Sequence, residues 1–238
     1  MRRRWEDRTR ILIGEENIEK LRRARVVVLG LGGVGGSCAE ALVRSCIGNL
    51  MIVDADIIDI TNINRQLIAT HSNIGKSKVD EMSKRLKLIN PEINIISKNF
   101  FCLPDNSDFI FEYKPDYIVD AIDTITMKIF LAKRSKENNI NLVSCMGMGN
   151  RLDPSLIKLG ILEDTTGSGC VVSRVIRSKL RKDNILDLNV VYSLEKPKKI
   201  VVRDNLNNNF KNSPASFSIV PSVAGYFLAY KVISDLIN

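Results

Sequence analysis

Residues 25–54 read RVVVLGLGGVGGSCAEALVRSCIGNLMIVD. The apolar run 26–29 is typical of a strand that is buried on both faces, and a glycine-rich turn, 30–35, follows it directly. Apolar residues then recur at helical spacing up to Cys46, and a second apolar run ends at Asp54. The order of strand, glycine turn, helix, strand and acid predicts a nucleotide-binding βαβ unit.

Each part of this unit has an expected role toward a bound nucleotide. Gly30 can form the tight turn, Gly32 lets the backbone approach a phosphate, and Gly35 lets the helix lie close to the strand. The first turn of the helix offers free N–H groups and the positive end of its dipole. Asp54 is placed to accept hydrogen bonds from ribose hydroxyls. The fingerprint fits NAD, FAD or ATP, so these residues alone leave the nucleotide open.

Composition narrows the class of protein. The 238 residues carry 35 Lys and Arg against 27 Asp and Glu, a formal net charge of +8, which favours polyanionic partners, nucleic acid first. The five cysteines form no C-x-x-C pair and predict reduced thiols in a cytoplasmic protein. A single histidine, His71, excludes histidine-based triads and multi-histidine metal sites.

Neither end of the sequence predicts stable membrane insertion. The first ten residues, MRRRWEDRTR, lack the apolar core of a secretory signal. The apolar stretch 219–237 carries Lys231 and Asp235 and shows helical amphipathicity. We therefore expect this stretch to be a packed terminal helix.

Two polar segments after Asp54 are candidates for binding phosphates. Asn62, Asn64, Arg65 and Gln66 fall within five residues, and such a cluster either holds a triphosphate or forms a capped surface turn. Lys78 lies in the first turn of a predicted helix, where the helix dipole disfavours a cation. An anion bound by both the lysine and the helix end would remove this conflict.

A later strand, 117–123, ends in two acids, Asp120 and Asp123. Open α/β sheets bind their ligands at the carboxyl ends of strands, and a carboxylate there can hold Mg²⁺ against phosphates. Strands and helices alternate to about residue 145 and are less regular afterwards. We predict an α/β fold with a Rossmann-like, doubly wound, mainly parallel sheet and a mixed C-terminal continuation.

The motifs G-x-G-G-V-G, Asp54, N-x-N-R-Q, G-K-S-K and D-A-I-D occur in this order. In this order they resemble the adenylating enzymes related to ubiquitin activation, over roughly residues 8–150. Within that superfamily the chain is similar to the tRNA threonylcarbamoyladenosine dehydratases, and the absence of C-x-x-C pairs favours this branch. The matching stretches are RTRILIGEENIEKL (8–21), TNINRQLIAT (61–70), IGKSKVDEM (74–82), INPEINI (89–95), VDAIDTITMK (119–128), MGMGNRLDP (146–154) and VVYSLEKP (190–197).

The resemblance implies an ATP- and Mg²⁺-dependent enzyme that acts on tRNA. It adenylates the threonyl carboxylate of N6-threonylcarbamoyladenosine, and the ring then closes with loss of AMP. It also implies one adenylating-enzyme domain over residues 1–238, with a nucleotide-binding half at 8–150 and a substrate-side and dimer-side continuation at 151–238. The implied nucleotide-binding residues are Gly30, Gly32, Gly33, Gly35, Asp54, Asp56, Asn62, Arg65, Gln66 and Lys78.

Three of the implied roles concern catalysis and assembly. Arg65 and Lys78 would stabilise charge in the transition state, and Asp123 would hold Mg²⁺. Arg8 matches an arginine that relatives insert into the site of a partner subunit, which implies a homodimer with composite sites. Arg10 is the alternative for this role, and an N-terminal ion pair is the simpler explanation.

Other functions remain open at this point. The first alternative is an adenylyltransferase for the C-terminus of a small sulfur-carrier protein, and a sulfur-transfer partner also stays open. A non-catalytic nucleotide- and tRNA-binding scaffold leaves Arg65, Lys78 and Asp123 unexplained, and a nicotinamide dehydrogenase leaves the two cations unexplained. Cys170, in a segment expected to be flexible and exposed, is a candidate thioester carrier. We hypothesise that a set of basic residues guides tRNA: Lys179, Arg181, Lys182, Lys196, Lys198, Lys199 and Arg203.

Overall fold

The computed structural model describes residues 3–199 and 214–238, which contain a seven-stranded sheet. The strands are β1 (Arg25–Leu29), β2 (Asn49–Val53), β3 (Asn94–Lys98), β4 (Tyr117–Asp120), β5 (Asn141–Cys145), β6 (Ile157–Ile161) and β7 (Asn189–Ser193). Their order across the sheet is β3-β2-β1-β4-β5-β7-β6. Neighbouring strands are parallel except β6 and β7, which are antiparallel, so the predicted mainly parallel sheet with a mixed continuation is confirmed.

The order of the strands positions the functional site. The chain runs outward from β1 through β2 to β3 and then returns to β4 on the other side of β1. The connections that leave β1 and β4 therefore diverge at their carboxyl ends. Open α/β sheets bind ligands in the crevice at such a switch point.

Helices cover both faces of this sheet. The helices are α1 (Asp7–Ile13), α2 (Glu15–Arg23), α3 (Gly33–Arg44), α4 (Lys78–Ile89), α5 (Asp108–Glu112), α6 (Ile125–Glu137), α7 (Val171–Leu180) and α8 (Ile219–Ile237). Side chains of β1 alternate between two apolar clusters, as the two-residue period of a strand requires. Val26 and Val28 pack with residues of α3, α4 and α8, whereas Val27 and Leu29 pack with residues of α6 and α7. The sheet is therefore doubly wound.

Helix α8 is the packed terminal helix that the sequence predicts. It is long and apolar enough to cross a membrane by length and composition, the one such helix in the described ranges. Seven of its residues are nevertheless buried within the fold. A Cβ at Gly225 would overlap the carbonyl oxygen of Val34, so the backbones of α8 and α3 are in close contact. Tyr117 Oη also donates to Asp235 Oδ2 at 2.8 Å, which joins α8 to β4.

Candidate active site

A cleft of about 420 Å³ opens at the carboxyl ends of β1, β2 and β4. Its volume is in the range typical of small-molecule sites. The structure brings ten of the predicted site residues together in its lining: Gly30, Gly32, Gly33, Asp54, Asp56, Asn62, Arg65, Gln66, Lys78 and Asp123. Gly35 and Arg8 are not part of this lining.

The glycine turn forms the floor of the cleft. Gly30 has a φ of +86°, and a Cβ there would lie 2.7 Å from the carbonyl oxygen of Ala121. A Cβ at Gly35 would overlap the carbonyl oxygen of Gly30, so Gly35 acts through close helix–strand packing. The first N–H···O bond of α3 runs from Gly36 to Gly32, so the N–H groups of residues 33–35 have no intrahelical partner. Of these three residues, Gly33 lines the cleft, so the floor offers a backbone donor from the first turn of α3.

Asp54 is held against this floor by backbone donors. Its Oδ2 accepts from the N–H of Leu31 at 2.6 Å, and its Oδ1 accepts from the N–H of Asp56 at 2.8 Å. Burial raises the pKa of Asp54, which the charge of Lys78 and the two N–H donors only partly oppose. Each carboxylate oxygen keeps a further lone pair, so the group can still accept from a ligand hydroxyl.

Lys78 forms an ion pair with Asp56 at the mouth of the cleft. Lys78 Nζ lies 2.7 Å from Asp56 Oδ2, and the lysine side chain is 6% exposed whereas the aspartate side chain is 66% exposed. The N–H of Lys78 also donates to the carbonyl oxygen of Asp56 at 3.0 Å. The conflict between Lys78 and the dipole of α4 predicts an anion at this helix end, and the carboxylate of Asp56 is that anion in the structure. A phosphate could exchange with this exposed carboxylate.

Residues 59–66 form a capped turn whose side chains line the cleft. Asp59 caps a single 3-10 turn, Ile60–Asn62, and its N–H donates to Asn62 Oδ1 at 3.1 Å. Arg65 Nη1 donates to the carbonyl oxygen of Thr61 at 2.9 Å. Gln66 is buried, and its Oε1 has no hydrogen-bond partner in the part of the chain that the structure describes. A capped surface turn and a phosphate-binding cluster are therefore compatible interpretations of this segment, because the turn is capped and its side chains line the cleft.

The two acids at the carboxyl end of β4, Asp120 and Asp123, have different environments. Asp123 is exposed and lines the cleft, as predicted. Asp120 is fully buried, with both carboxylate oxygens 3.0 Å from Lys128 Nζ. Of the two acids that the sequence places at this edge of the sheet, Asp120 is therefore not available to a ligand, because Lys128 in the first turn of α6 occupies its carboxylate. Residues 3–199 and 214–238 hold no cluster of three potential His, Cys, Asp or Glu metal ligands.

The N-terminal arginines lie outside the cleft. Arg10 pairs with Glu6 at 2.8 Å and also contacts Glu15, so it takes part in ion pairs within its own chain. Arg8, on α1, is exposed and forms no ion pair with the described residues. Arg8 is consequently the arginine that remains available to a second molecule.

Cys170 lies in a buried position, contrary to the expectation of an exposed, flexible segment. It is 6% exposed and caps the start of α7, where its Sγ accepts from the N–H of Ser173 at 3.5 Å. Burial raises the pKa of the thiol, but donors from Ser173 and Gly147 and the charge of Arg151 outweigh this effect and lower the pKa. The remaining four cysteines are also free and buried. Cys170 does not line the cleft, which removes the geometric basis for a thioester carrier there.

The cleft includes residues that sequence reasoning missed. Phe100, Phe101 and Cys102 line it beyond β3, and Ala121, Ile122 and Thr124 line it beyond β4. Phe101 is 60% exposed, unusual for an aromatic side chain. Their position at the carboxyl ends of strands was the available signal in the sequence.

Comparisons with known proteins agree with this geometry. Residues 6–233 match the model of the ThiF family. The tRNA threonylcarbamoyladenosine dehydratase of Bacillus subtilis is 39% identical, over 97% of this chain and 94% of that protein. The enzyme of the same name from Escherichia coli is 34% identical, over 75% of this chain and 67% of that protein. An adenylyltransferase and sulfurtransferase from Culex quinquefasciatus is 34% identical over only 50% of this chain and 27% of that protein.

Solved structures agree as well. The crystal structure of Escherichia coli tRNA N6-threonylcarbamoyladenosine dehydratase in complex with ATP superposes with a TM-score of 0.86 at 28% identity. It covers 98% of this chain and 95% of that chain. The complex of the same enzyme with AMP gives a TM-score of 0.87. The predicted fold and resemblance are confirmed, and the chain belongs to the ThiF family.

Proposed function

We propose that this protein is an ATP-dependent tRNA threonylcarbamoyladenosine dehydratase of the cytoplasm. The observation that carries the proposal is the convergence of Arg65, Lys78 and Asp123 on one cleft with the glycine turn. The transfer of an adenylyl group uses two cations, an acid that can hold a metal ion, and backbone N–H groups that bind phosphates. A non-catalytic scaffold requires none of the three side chains. The continuous sheet across residues 25–193 supports a single adenylating-enzyme domain.

The residues of the cleft fit ATP. The N–H groups of residues 33–35, which have no partner within α3, suit the phosphates, and Asp54 retains acceptor capacity for ribose hydroxyls. The unpartnered Oε1 of buried Gln66 and the amide of Asn62 provide further polar groups beside them. Asp123 would hold Mg²⁺ together with phosphate oxygens, since Mg²⁺ commonly takes one or two carboxylates plus substrate phosphates.

The chemistry divides into two balanced steps. ATP makes the threonyl carboxylate electrophilic: one carboxylate oxygen bonds to the α-phosphorus, and the bond to the β-phosphate breaks with release of pyrophosphate. The carbamoyl nitrogen or oxygen then attacks the acyl carbon, AMP leaves, and a proton is lost to solvent. Arg65 and Lys78 compensate the negative charge that develops on the phosphate oxygens, a role for which preorganised cations are effective. Positioning contributes to both steps: the cleft would hold ATP against the carboxylate in the first step, and both reacting groups of the second step belong to one substrate.

Assembly into a homodimer would complete the site. Arg8 is exposed on α1 and unpaired in the described chain, next to the strongly exposed side chains of Ile11 and Leu12. An apolar patch of this kind on a surface helix favours a protein contact. A second copy that covers this patch would bring Arg8 toward the cleft of its partner. Ring closure within one substrate requires no sulfur-transfer partner.

The release of pyrophosphate from ATP and Mg²⁺ tests the proposal. Three acceptors are compared: tRNA that carries threonylcarbamoyladenosine, the same tRNA without the modification, and a small sulfur-carrier protein. We expect release with the modified tRNA alone, and its loss in Lys78→Ala. Release with the carrier protein alone would move the assignment to the sulfur-carrier adenylyltransferases, and silence with all three would support a scaffold.

A further inference from the structure

A second cavity, of about 360 Å³, lies beyond the carboxyl ends of β5 and β7. We call it the basic cavity; it is lined by Asn150, Arg151, Leu152, Lys198, Lys199, Ala215, Ser216 and Phe217. It adjoins the candidate active site, because Asn64 Nδ2 donates to the carbonyl oxygen of Ser216 at 2.9 Å. Asn64 immediately precedes Arg65 of the cleft, so the two sites share one turn.

The lining of the basic cavity is positively charged. Arg151, Lys198 and Lys199 contribute three cations, and none of the described lining residues is acidic. One carboxylate lies beside this lining, since Glu195 Oε2 accepts from the N–H groups of Leu152 and Asp153, both at 2.9 Å. The three cations outnumber this one carboxylate, so the described lining has a net positive charge that favours an anionic ligand.

Arg151 is the strongest single indication of an anion. It is 3% exposed, yet the described residues offer it only neutral acceptors. Its Nε donates to the carbonyl oxygen of Glu195 at 2.9 Å, and its Nη1 donates to the carbonyl oxygens of Gly147 and Gly149. Its Nη2 is buried and has no hydrogen-bond partner within residues 3–199 and 214–238. A buried guanidinium without a carboxylate is costly unless another negative group compensates its charge.

The remaining wall of the cavity is apolar and firmly held. Phe217 is half-buried, and Leu152 is 53% exposed. Asn150 and Ala215 join the two sides through a reciprocal pair of hydrogen bonds, each of 2.7 Å. An aromatic face beside several cations is the combination that binds single-stranded nucleic acid, since bases stack on the ring and phosphates meet the cations.

We propose that the basic cavity binds a nucleotide that flanks the modified adenosine in the RNA substrate. The phosphate of this nucleotide contacts Lys198 and Lys199 and is also attracted by the positive charge of Arg151. The base of the nucleotide stacks on Phe217. This inference rests on the proposed function, because it assumes an RNA whose reacting base enters the neighbouring cleft. It also separates Lys198 and Lys199 from the other basic residues that we hypothesise to guide tRNA.

The first experiment measures the affinity for modified tRNA as a function of salt concentration. The test variant is K198Q/K199Q, and the matched control is K87Q/K114Q, two exposed lysines at the opposite, amino-terminal edge of the sheet. The test variant should bind more weakly and lose up to about 1.4 from the slope of log K against log salt, at about 0.7 per phosphate contact. The control should keep both values of the wild type. Equal slopes in the test variant and the wild type would overturn the proposal.

The second experiment separates stacking from general packing at Phe217. Phe217→Leu keeps an apolar side chain but loses the aromatic face, and Phe217→Tyr retains that face. We expect Phe217→Leu to weaken RNA binding at least about fivefold with an unchanged salt slope, and Phe217→Tyr to bind like the wild type. Equal affinity of the leucine variant and the wild type would exclude a stacked base.

These outcomes stay distinct from failure of the proposed function. If the wild-type protein releases pyrophosphate with modified tRNA while both sets of variants bind it normally, only the basic cavity is refuted. If the wild-type protein neither binds modified tRNA nor releases pyrophosphate with it, both proposals fail. ATP binding in the absence of RNA should be the same in all of these variants, which confirms that the neighbouring cleft is intact.

Discussion

Lys128 Nζ lies 3.0 Å from both carboxylate oxygens of Asp120, and both residues are buried. The same ammonium group donates to Ser144 Oγ at 3.3 Å and to the carbonyl oxygen of Cys145 at 2.8 Å. Asp120 Oδ1 also accepts from the N–H of Ile122 at 3.3 Å. One buried ion pair therefore joins the carboxyl ends of β4 and β5 and fixes the turn that presents the exposed acid of the cleft.

Removal of this ammonium group should destabilise the fold strongly. We expect Lys128→Met to lower the free energy of unfolding by about 3–5 kcal/mol, because Asp120 would remain buried without its partner. The double variant Asp120→Asn with Lys128→Met should lose less, since no buried charge is left unpaired. Urea unfolding followed by circular dichroism measures both. Additive losses in the double variant would show that the two groups do not depend on each other.

Replacement of Asp123 should change the metal requirement. Asp123 is exposed in the cleft, so Asp123→Asn should fold normally. We expect the Mg²⁺ concentration for half-maximal pyrophosphate release to rise at least about tenfold, because an amide is a weaker ligand for Mg²⁺ than a carboxylate. Titration of Mg²⁺ at saturating ATP measures the shift. Asp105→Asn is the control, because Asp105 is an acid outside the cleft lining. This variant should show the same Mg²⁺ dependence as the wild type.

Substitutions of the Lys78–Asp56 pair should separate binding from catalysis. Lys78→Ala should reduce pyrophosphate release by about 10²–10³-fold, the usual effect of losing one preorganised charge-stabilising group. Asp56→Asn should have a much smaller effect on release, since it leaves the lysine in place and removes only an exposed carboxylate. Single-turnover kinetics with modified tRNA compare the two. A larger loss of release in Asp56→Asn than in Lys78→Ala would assign the essential role to the carboxylate.

Mixing of two inactive variants tests the composite site. If Arg8 completes the cleft of its partner, Arg8→Ala and Lys78→Ala should each be nearly inactive alone. After unfolding and refolding together, they should recover about one quarter of the wild-type rate, since about half of the dimers are mixed and each contains one complete site. Arg10→Ala in place of Arg8→Ala serves as the matched control. No recovery in a mixture that sizing chromatography shows to be dimeric would contradict the shared site.

The pair of helices α3 and α4 should respond to acid through Glu40. Its carboxylate accepts from Arg44 Nε at 2.8 Å and from Arg85 Nε at 2.5 Å. Burial raises the pKa of Glu40, but the two arginines outweigh this effect and lower it below the ordinary value. Because the pKa of Glu40 is lower in the folded protein than in the unfolded chain, where it is about 4.3, its ionised carboxylate stabilises the fold above pH 4.3. This stabilisation is lost as the pH falls through the pKa of the folded protein.

The stability of Glu40→Gln should therefore approach that of the wild type in acid. At pH 7 the variant should unfold at a lower urea concentration than the wild type. The difference should shrink progressively below about pH 4.3, because the unfolded wild-type chain then binds a proton at this carboxylate before the folded protein does. Urea midpoints at several pH values measure this. A difference that is constant from pH 7 to pH 3 would show that the interaction is not electrostatic.

Much of the nucleotide-binding half could be predicted from the sequence because its signals are local. The apolar run at β1, the glycine turn and the helical spacing of α3 lie within 30 consecutive residues. Strand burial and helix amphipathicity follow from such short-range patterns. The cleft lining therefore contains ten predicted residues, and the doubly wound sheet follows from the alternation of elements.

The chemistry of individual side chains depended on contacts between distant parts of the chain. Asp120 and Asp123 look equivalent in the sequence, and only the approach of Lys128 and Ser144 makes the first structural and leaves the second for a ligand. The burial of Cys170 likewise results from packing in the second half of the sheet. Arg203, one of the predicted RNA-guiding residues, lies outside the described residues.

The sequence by itself determined the fold class and most of the residues that line the cleft, because turn geometry and hydrophobic periodicity are encoded within a few residues. Only the tertiary structure decided which charges are paired and which are free, since an ion pair depends on distances of a few ångströms between remote segments. The clearest examples are the pair of Lys78 with Asp56 and the buried Arg151, which has only neutral acceptors among the described residues.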